Sequence, residues 1–155
     1  MKKILLVRLH EKLQLSVVTP PAGFLYVPSY LRRHNPSLEF FLFDFALNPG
    51  DYSKYKKFVS NFRPDAIFFS GSYVERDQLY HCLKITRSLT RAVTICGGPL
   101  AGTAALELLH NPFLDYTVSS EGEQRAASLI DHLSTGSPPC EGIGYRRTGQ
   151  VIFQK

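Results

Sequence analysis

The chain has 155 residues, enough to bury the core of one domain, and its 44% hydrophobic and 20% charged residues are ordinary for a globular protein. The net charge is +5, but the basic residues are scattered along the chain, which argues against nucleic-acid binding. The three cysteines are far apart, which excludes a disulfide framework and indicates a reducing compartment. Since no apolar run suits a signal peptide or a membrane span, we expect a cytoplasmic protein without a membrane partner.

Five short apolar runs predict the strands of a sheet. The first, Ile4 to Val7, is apolar at every position, which is typical of a central parallel strand covered on both faces. Turn-forming residues such as glycine, serine and proline follow several of the runs. The predicted strands are residues 4–7, 38–45, 66–69, 92–96 and 115–118.

Residues at helical spacing follow each strand. After a long loop over residues 9–21, the first helix ends near His34 and either kinks at Pro28 or begins close to it. The expected starts of the later helices are a cap at Asp51 or Ser53, a cap at Asp77, a point after Thr103, and residues 119–123.

This alternation predicts right-handed crossovers and a doubly wound, five-stranded parallel α/β sheet. We expect the flavodoxin-like strand order 2-1-3-4-5, which is common for a domain of this size. The loops over residues 9–21, 70–76, 97–103 and 119–122 then share one edge of the sheet. Ligands of open α/β sheets bind at that edge.

The last residues have a different pattern. Two β-prone pieces flank a Thr-Gly turn at residue 148, which predicts a C-terminal β-hairpin. We therefore divide the chain into an α/β domain over 1–136 and a linker with a hairpin over 137–155. Because an isolated hairpin is marginally stable, we expect Tyr145 to Phe153 to be poorly packed or to rest on a neighbouring molecule, with its natural partner in a further domain downstream.

The predicted ligand edge lacks the common catalytic motifs. There is no phosphate loop, no Gly-x-Gly-x-x-Gly after the first strand, and no Gly-x-Ser-x-Gly elbow. Asp44 is the only carboxylate that ends one of the first three strands, which is too little for a magnesium site.

The edge does offer hydroxyl groups and bare backbone. Ser70 and Ser72 supply the hydroxyls, the glycines at 71, 97 and 98 supply the backbone, and a helix begins near Gly122. Paired glycines such as Gly97-Gly98 let another body approach closely, although a tight turn alone also explains them. This set suits a bulky, mostly neutral ligand, whose phosphate would lie at a helix N-terminus.

Five motifs occur in one order and spacing over nearly the whole chain. They are Pro20-Pro21-Ala22-Gly23-Phe24-Leu25-Tyr26-Val27-Pro28-Ser29-Tyr30-Leu31-Arg32, Arg63-Pro64-Asp65 with Ser70, Gly97-Gly98-Pro99, Glu121-Gly122-Glu123, and Gly144-Tyr145-Arg146. The first is similar to Pro-Pro-x-Gly-Leu-x-Tyr-Leu-Ala-x-Tyr-Leu-Arg. Together they resemble the N-terminal cobalamin-binding domain of B12-dependent radical SAM enzymes.

The resemblance implies a module that binds cobalamin and is itself non-catalytic. The corrinoid's nucleotide tail would enter the carboxyl edge of the sheet. The implied cofactor-binding residues are Pro20, Gly23, Ser70, Gly71, Ser72, Gly97, Gly98, Pro99, Glu121 and Gly122. S-adenosylmethionine and an iron–sulfur cluster, which needs Cys-x-x-x-Cys-x-x-Cys, would belong to a downstream radical SAM domain. The parent enzyme would be a methyltransferase or a cyclase.

The resemblance also bears on His10. Other cobalamin domains supply an axial imidazole from Asp-x-His-x-x-Gly after the first strand. The corresponding run here, Arg8-Leu9-His10-Glu11-Lys12-Leu13, has the histidine but lacks both the aspartate and the glycine. An oriented second shell is usual for a ligating histidine. We therefore expect no axial histidine from the protein and no protein metal ligand.

Two alternatives stay open at this point. Ser72 replaces an apolar residue of the family pattern, Ser120 a glycine, Leu100 a histidine and Pro28 an alanine. These departures are compatible with a flavodoxin-like regulatory or interaction domain without a cofactor. A small nucleotide or flavin binder at the same edge is the other alternative.

Overall fold

In a computed structural model, which describes residues 1–10, 21–147 and 149–154, strands and helices alternate as the sequence predicts. Most of the predicted loop over 9–21 therefore lies outside the described residues. The strands are β1 (Lys3–Arg8), β2 (Glu39–Asp44), β3 (Ala66–Ser70), β4 (Val93–Gly97), β5 (Tyr116–Val118), β6 (Ile143–Arg147) and β7 (Gln150–Phe153). The helices are α1 (Ala22–His34), α2 (Tyr52–Phe62), α3 (Arg76–Leu89), α4 (Gly98–Leu108) and α5 (Gly122–Thr135).

The described strands form one mixed sheet in the order β2-β1-β3-β4-β5-β6-β7. The first five are parallel and have the predicted order 2-1-3-4-5. The predicted strand count was wrong, because β6 pairs antiparallel with β5, and β7 pairs antiparallel with β6. The hairpin thus extends the sheet to seven strands instead of standing apart from it.

The hairpin packs closely on the sheet at Gly144, where the absence of a side chain allows a short distance to β5 and β7. Gly144 lies opposite Thr117, and a Cβ atom there would be 2.5 Å from Thr117 Oγ1 and 2.8 Å from Phe153 Cδ2. Neighbouring Ile143 is fully buried, and Tyr145 is half-buried beside Tyr116. The described residues from Tyr145 to Phe153 are half-buried or exposed, so poor packing of that stretch stays a prediction, and the close contacts of the hairpin are those of Ile143 and Gly144.

Helices cover both faces of the sheet, which explains the wholly apolar β1. Leu5 and Val7 face a core formed with α2, α3 and α4, whereas Ile4 and Leu6 face a core formed with α1 and α5. Each of these four side chains is at most 3% exposed. Burying apolar residues on both faces fits the position of β1 in the interior of the parallel part of the sheet, between β2 and β3.

Two helix starts differ from the predictions. α4 begins at Gly98 and not after Thr103, because Pro99 fits the first helical turn, where no amide hydrogen bond is lost. The backbone at Ala104 is non-helical, so the predicted start coincides with the second part of α4. Asp51 caps α2 by accepting from the Lys54 amide at 2.8 Å, as predicted. Asp77 is not a cap but lies in the first turn of α3.

Candidate ligand-binding site

The carboxyl ends of β1, β3 and β4 lie level with one another. Ser70 pairs with Arg8 on one side and with Gly97 on the other. The amide of Leu9 donates to Ser70 O at 2.9 Å, and the amide of Leu100 donates to Gly71 O at 2.9 Å. The described ends of these loops therefore meet at one edge of the sheet, as the strand order predicted.

An apolar cavity of about 180 Å³ opens at this edge between α1, α5 and the ends of β3, β4 and β5. Its lining residues are Gly23, Phe24, Val27, Phe68, Phe69, Ser70, Gly97, Gly98, Val118, Ser120, Gly122, Glu123 and Ala126. Most of these side chains are apolar or absent, so the cavity suits a flat, uncharged group.

A polar hollow of about 250 Å³ adjoins the apolar cavity. Its lining residues are Arg8, Leu9, His10, Pro21, Ala22, Gly23, Phe24, Ser70, Gly71, Ser72, Glu75 and Pro99. Gly23, Phe24 and Ser70 line both spaces, which makes them one continuous groove. The groove can hold a ligand with an apolar end and a polar end.

Three of the cavity's glycines are not required by the fold. A Cβ atom at Gly23 would meet nothing within 4 Å, and at Gly97 or Gly122 it would make contacts of only 3.7 Å and 3.6 Å. Gly97 has an extended backbone with φ −126°, which any residue can adopt. The missing side chains therefore leave space in the cavity instead of relieving strain, which is the arrangement expected of a ligand cradle.

The other two glycines of the predicted site have a structural reason. Gly98 has φ +72°, and a Cβ atom there would collide with Ser70 Oγ. At Gly71 a Cβ atom would lie 3.0 Å from Leu9 Cβ and 3.2 Å from Glu75 Oε2. Gly98 therefore needs glycine whether or not a ligand binds, and Gly71 lies in a tight contact that favours glycine.

The two predicted serines differ in what their hydroxyl groups do. Ser70 is half-buried, lines both parts of the groove, and its hydroxyl has no hydrogen-bond partner among the described residues. The Ser72 hydroxyl donates to Glu75 Oε2 at 2.6 Å, and the Ser72 amide donates to the same oxygen at 2.5 Å. This capping box opens the turn before α3, so Ser72 is engaged by the fold.

The remaining predicted residues are placed as follows. Pro99 lines the polar hollow, and Gly122 opens α5 against the apolar cavity. Glu121 precedes α5 but lines a separate surface hollow with Arg125. Pro20 lies outside the described residues.

Sequence reasoning missed several lining residues. The apolar wall of Phe24, Val27 and Val118 looked like ordinary core, because apolar spacing does not reveal a cavity. Ser120 also lines the cavity, and its φ of +60° is a left-handed conformation that favours glycine, the residue that the resembling pattern has at this position.

His10 is held by its backbone at the polar hollow. The His10 amide donates to Gln78 Oε1 at 2.7 Å, and Gln78 Nε2 donates to His10 O at 3.4 Å. Gln78 is buried, so this pair fixes where the chain leaves β1. Beside it, Arg8 and Asp44 form an ion pair of 3.4 Å at the ends of β1 and β2. Asp44 is therefore engaged by a cation and by the Ala46 amide, which donates to it at 2.8 Å.

Neither a reactive cysteine thiolate nor a metal cluster is found among the described residues around the groove. Cys96, next to Gly97, is fully buried, and desolvation raises the pKa of its thiol to about 12, so the reactive thiolate does not form at neutral pH. Over residues 1–10, 21–147 and 149–154, no group of three His, Cys, Asp or Glu side chains is placed to hold a metal ion. The described residues of the groove offer apolar space next to hydrogen-bonding and charged groups.

A doubly wound α/β domain with an open groove at the carboxyl edge of its sheet is the class that this fold defines. Comparison with known proteins gives relatives by structure alone, since neither a family model nor a curated protein matches the chain. The radical S-adenosylmethionine methyltransferase TsrM from Kitasatospora setae, solved with tryptophan and a SAM analogue, is 15% identical with a TM-score of 0.81. The alignment covers 99% of this chain and 30% of TsrM.

Two more solved structures are similar. TsrM with cobalamin and an iron–sulfur cluster bound gives 17% identity and a TM-score of 0.80, over 99% of this chain and 29% of TsrM. OxsB, a cobalamin-dependent S-adenosylmethionine radical enzyme with aqua-cobalamin and S-adenosylmethionine bound, gives 19% identity and a TM-score of 0.83. The alignment covers 99% of this chain and 22% of OxsB. The chain thus shares the fold of a part of these enzymes and spans less than a third of their length.

None of the described helices combines the length and the apolar character that crossing a membrane requires.

Proposed function

We propose that this chain is a cobalamin-binding module. The observation that carries the proposal is the cradle of Gly23, Gly97 and Gly122, where side chains would fit the fold but would fill the apolar cavity. A domain without a ligand gains stability when it fills such a space, because protein interiors are close-packed. Empty Cβ positions around a cavity at the carboxyl edge therefore favour a bound group.

The two parts of the groove fit the two ends of the corrinoid's nucleotide tail. The apolar cavity would hold the aromatic base between Phe24, Val27 and Val118. The Ser70 hydroxyl would supply a hydrogen bond at the junction with the polar hollow. The polar hollow, with Arg8 and the amides that open α1, would hold the sugar-phosphate part.

The chemistry of the parent enzyme would be carried elsewhere. Bound cobalamin supplies a metal-centred group for alkyl or electron transfer, and this chain's residues bind it, orient it and shield its tail from water. We propose that a downstream radical SAM domain of the same polypeptide carries S-adenosylmethionine and the iron–sulfur cluster. The fold shared with parts of TsrM and OxsB supports this arrangement. Methyl transfer or ring formation would be the reaction of that domain.

The proposal is tested by titrating hydroxocobalamin into the chain and following the corrin absorbance after gel filtration. Gly97→Val places a side chain in the apolar cavity without backbone strain. We therefore expect the affinity of this variant for hydroxocobalamin to fall at least about tenfold. Gly102→Val is the matched control, because Gly102 lies in α4 outside the groove and has nothing within 4 Å of a Cβ atom. Circular dichroism checks that both variants are folded.

The alternative is a regulatory domain without a cofactor, and the engaged Ser72 is the observation in its favour. This alternative predicts that no corrinoid binds and that Gly97→Val raises the free energy of unfolding by filling a void. That pair of results would overturn the proposal. Tight binding of a flavin without corrinoid binding would instead show that the groove is a nucleotide or flavin site.

A further inference from the structure

The outer edge of β2 carries exposed apolar side chains that line neither part of the groove at the carboxyl edge. Among the described strands β2 pairs only with β1, so its other edge is open. Phe41 is 51% exposed and Leu42 is 38% exposed. Open edges are usually protected by charges, prolines or bulges, whereas in β2 the charged residues Glu39 and Asp44 stand only at the two ends and the four residues between them are apolar.

The open edge presents unused backbone groups. The Glu39 amide donates to Lys2 O at 2.8 Å, and the Phe45 amide donates to Arg8 O at 3.1 Å, so odd-numbered amides face β1. Because the hydrogen-bonding direction alternates along a strand, the N–H and C=O groups of Phe40 and Leu42 point away from the sheet. An extended segment can pair with them.

An apolar groove of about 370 Å³ lies beside this edge, between β2 and α2. We call it the β2 groove, and its lining residues are Phe41, Lys54, Lys57, Phe58, Asn61 and Phe62. The Phe41 ring lies 4.6 Å from the Phe62 ring and 6.1 Å from the Phe58 ring, measured between centroids. These rings form a floor for an apolar side chain.

The β2 groove is also cationic. Lys54 Nζ donates to the neutral Asn48 Oδ1 at 2.5 Å, and Lys57 has no partner among the described residues. The Lys3 ammonium lies 5.5 Å from the centroid of the Phe62 ring. No ion pair formed by the described residues involves Lys54 or Lys57. An acidic partner would supply the missing charge.

The charge of the β2 groove and its distance from β7 indicate which kind of segment binds at the β2 edge. A second copy pairing through β2 about a two-fold axis would bring both copies' Lys54 and Lys57 together, and these like charges repel. A segment that followed β7 directly would start at the opposite edge of the sheet. Six strand spacings of ~4.8 Å separate the two edges, or about 29 Å. Both considerations favour a segment of another polypeptide.

We propose that the β2 edge and the β2 groove bind an extended, acidic segment of another polypeptide, which adds a strand to the sheet. On the face toward α2, the segment carries an apolar residue over Phe41 and Phe62, with a carboxylate on each side for Lys54 and Lys57. On the other face it carries apolar residues beside Leu42. This surface is independent of cobalamin binding.

The test uses two capped peptides, Thr-Glu-Val-Phe-Val-Glu-Thr and its counterpart with lysine for glutamate, titrated into the full chain. Amide NMR shifts of Phe40 and Leu42 report binding at the edge. We expect the acidic peptide to bind at least about tenfold more tightly, because it forms two ion pairs where the other meets like charges. The double change Lys54→Glu with Lys57→Glu reverses the preference. Lys56→Glu, on α2 but outside the β2 groove, leaves it unchanged.

A second experiment leaves the protein unaltered, so it does not depend on the variants folding. If the peptide adds a strand, every second amide of the peptide donates to β2 and the others point away. N-methylation of the amides that face β2 then removes binding, whereas N-methylation of the amides that point away does not. Three results would overturn the proposal. They are equal binding of the acidic and the basic peptide, NMR shifts confined to residues away from β2, and binding that survives N-methylation of each set of amides in turn. Sedimentation showing a dimer that Phe41→Asp abolishes would also overturn it, since a second copy would then occupy the edge.

Discussion

Ser70 and Gly98 lie so close that a Cβ atom on Gly98 would collide with Ser70 Oγ, while Gly97, the register partner of Ser70, has room for one. The two adjacent glycines therefore have different physical roles. Gly98 meets a backbone requirement with φ +72°, and Gly97 keeps a cavity open. A substitution at Gly98 consequently tests the fold and not the ligand.

The first prediction separates these roles by stability. We expect Gly98→Ala to lower the free energy of unfolding by about 1–3 kcal/mol, because alanine is strained at positive φ. Gly97→Ala should change it by less than about 0.5 kcal/mol, since its backbone is extended and its nearest new contact is 3.7 Å. Urea unfolding measures both. Equal losses in the two variants would contradict the distinction.

The second prediction concerns two threonines that are fully buried in adjacent strands. Thr117 Oγ1 is buried without a hydrogen-bond partner among the described residues, whereas Thr94 Oγ1 donates to Phe113 O at 2.6 Å. We expect Thr117→Val to raise the free energy of unfolding by about 1 kcal/mol, because it removes an unsatisfied hydroxyl. Thr94→Val, the matched control, should lower it by about 1–3 kcal/mol, since it removes the hydrogen bonds that the hydroxyl donates to Phe113 O and Asp115 Oδ2. Chemical denaturation distinguishes the signs, and a loss in both variants would show that Thr117 is satisfied in solution.

Sequence reasoning reached the strand order because a wholly apolar first run must be central, and alternating elements must cross over in parallel. It placed Ser70 and Gly97 at one edge for the same reason. It could not separate Gly97 from Gly98, because the difference depends on φ and on a neighbour from another strand. The capping box was readable as Ser72 with Glu75 three residues later, and was missed. The pairing of β6 with β5 could not be predicted from the sequence, because it depends on which residue of β5 lies opposite Gly144.

The third prediction is a pH dependence at the N-terminal end of the sheet. Hydrogen bonds donated by the amides of Lys3 and Lys2, at 2.9 Å and 2.6 Å, lower the pKa of Asp65. A lowered folded-state pKa means that the ionised form stabilises the fold above the unfolded pKa of about 3.9. This stability is lost as the pH falls through the lower, folded-state pKa. We therefore expect Asp65→Asn to destabilise the protein at pH 7 and to flatten its acid-unfolding curve below pH ~4.

The exposed Asp77 provides the control for that experiment, because among the described residues its carboxylate is hydrogen-bonded by the Arg76 side chain alone, on the same helix. Asp77→Asn should leave the acid-unfolding curve close to that of the unaltered chain. A curve for Asp65→Asn that runs parallel to the wild-type curve from pH 7 to pH ~3 would contradict the linkage.

The last prediction concerns the metal of bound cobalamin. His10 is the histidine placed at the groove, and its backbone is fixed by Gln78 at 2.7 Å. Its imidazole has no carboxylate partner among the described residues, although a partner on the second ring nitrogen is what usually orients a ligating histidine. We therefore expect hydroxocobalamin to bind without coordination by a protein histidine. Electron paramagnetic resonance of the reduced Co(II) form measures this directly. Nitrogen hyperfine splitting that His10→Ala removes would show that His10 is a ligand, and His34→Ala, which alters an exposed histidine at the end of α1, is the control.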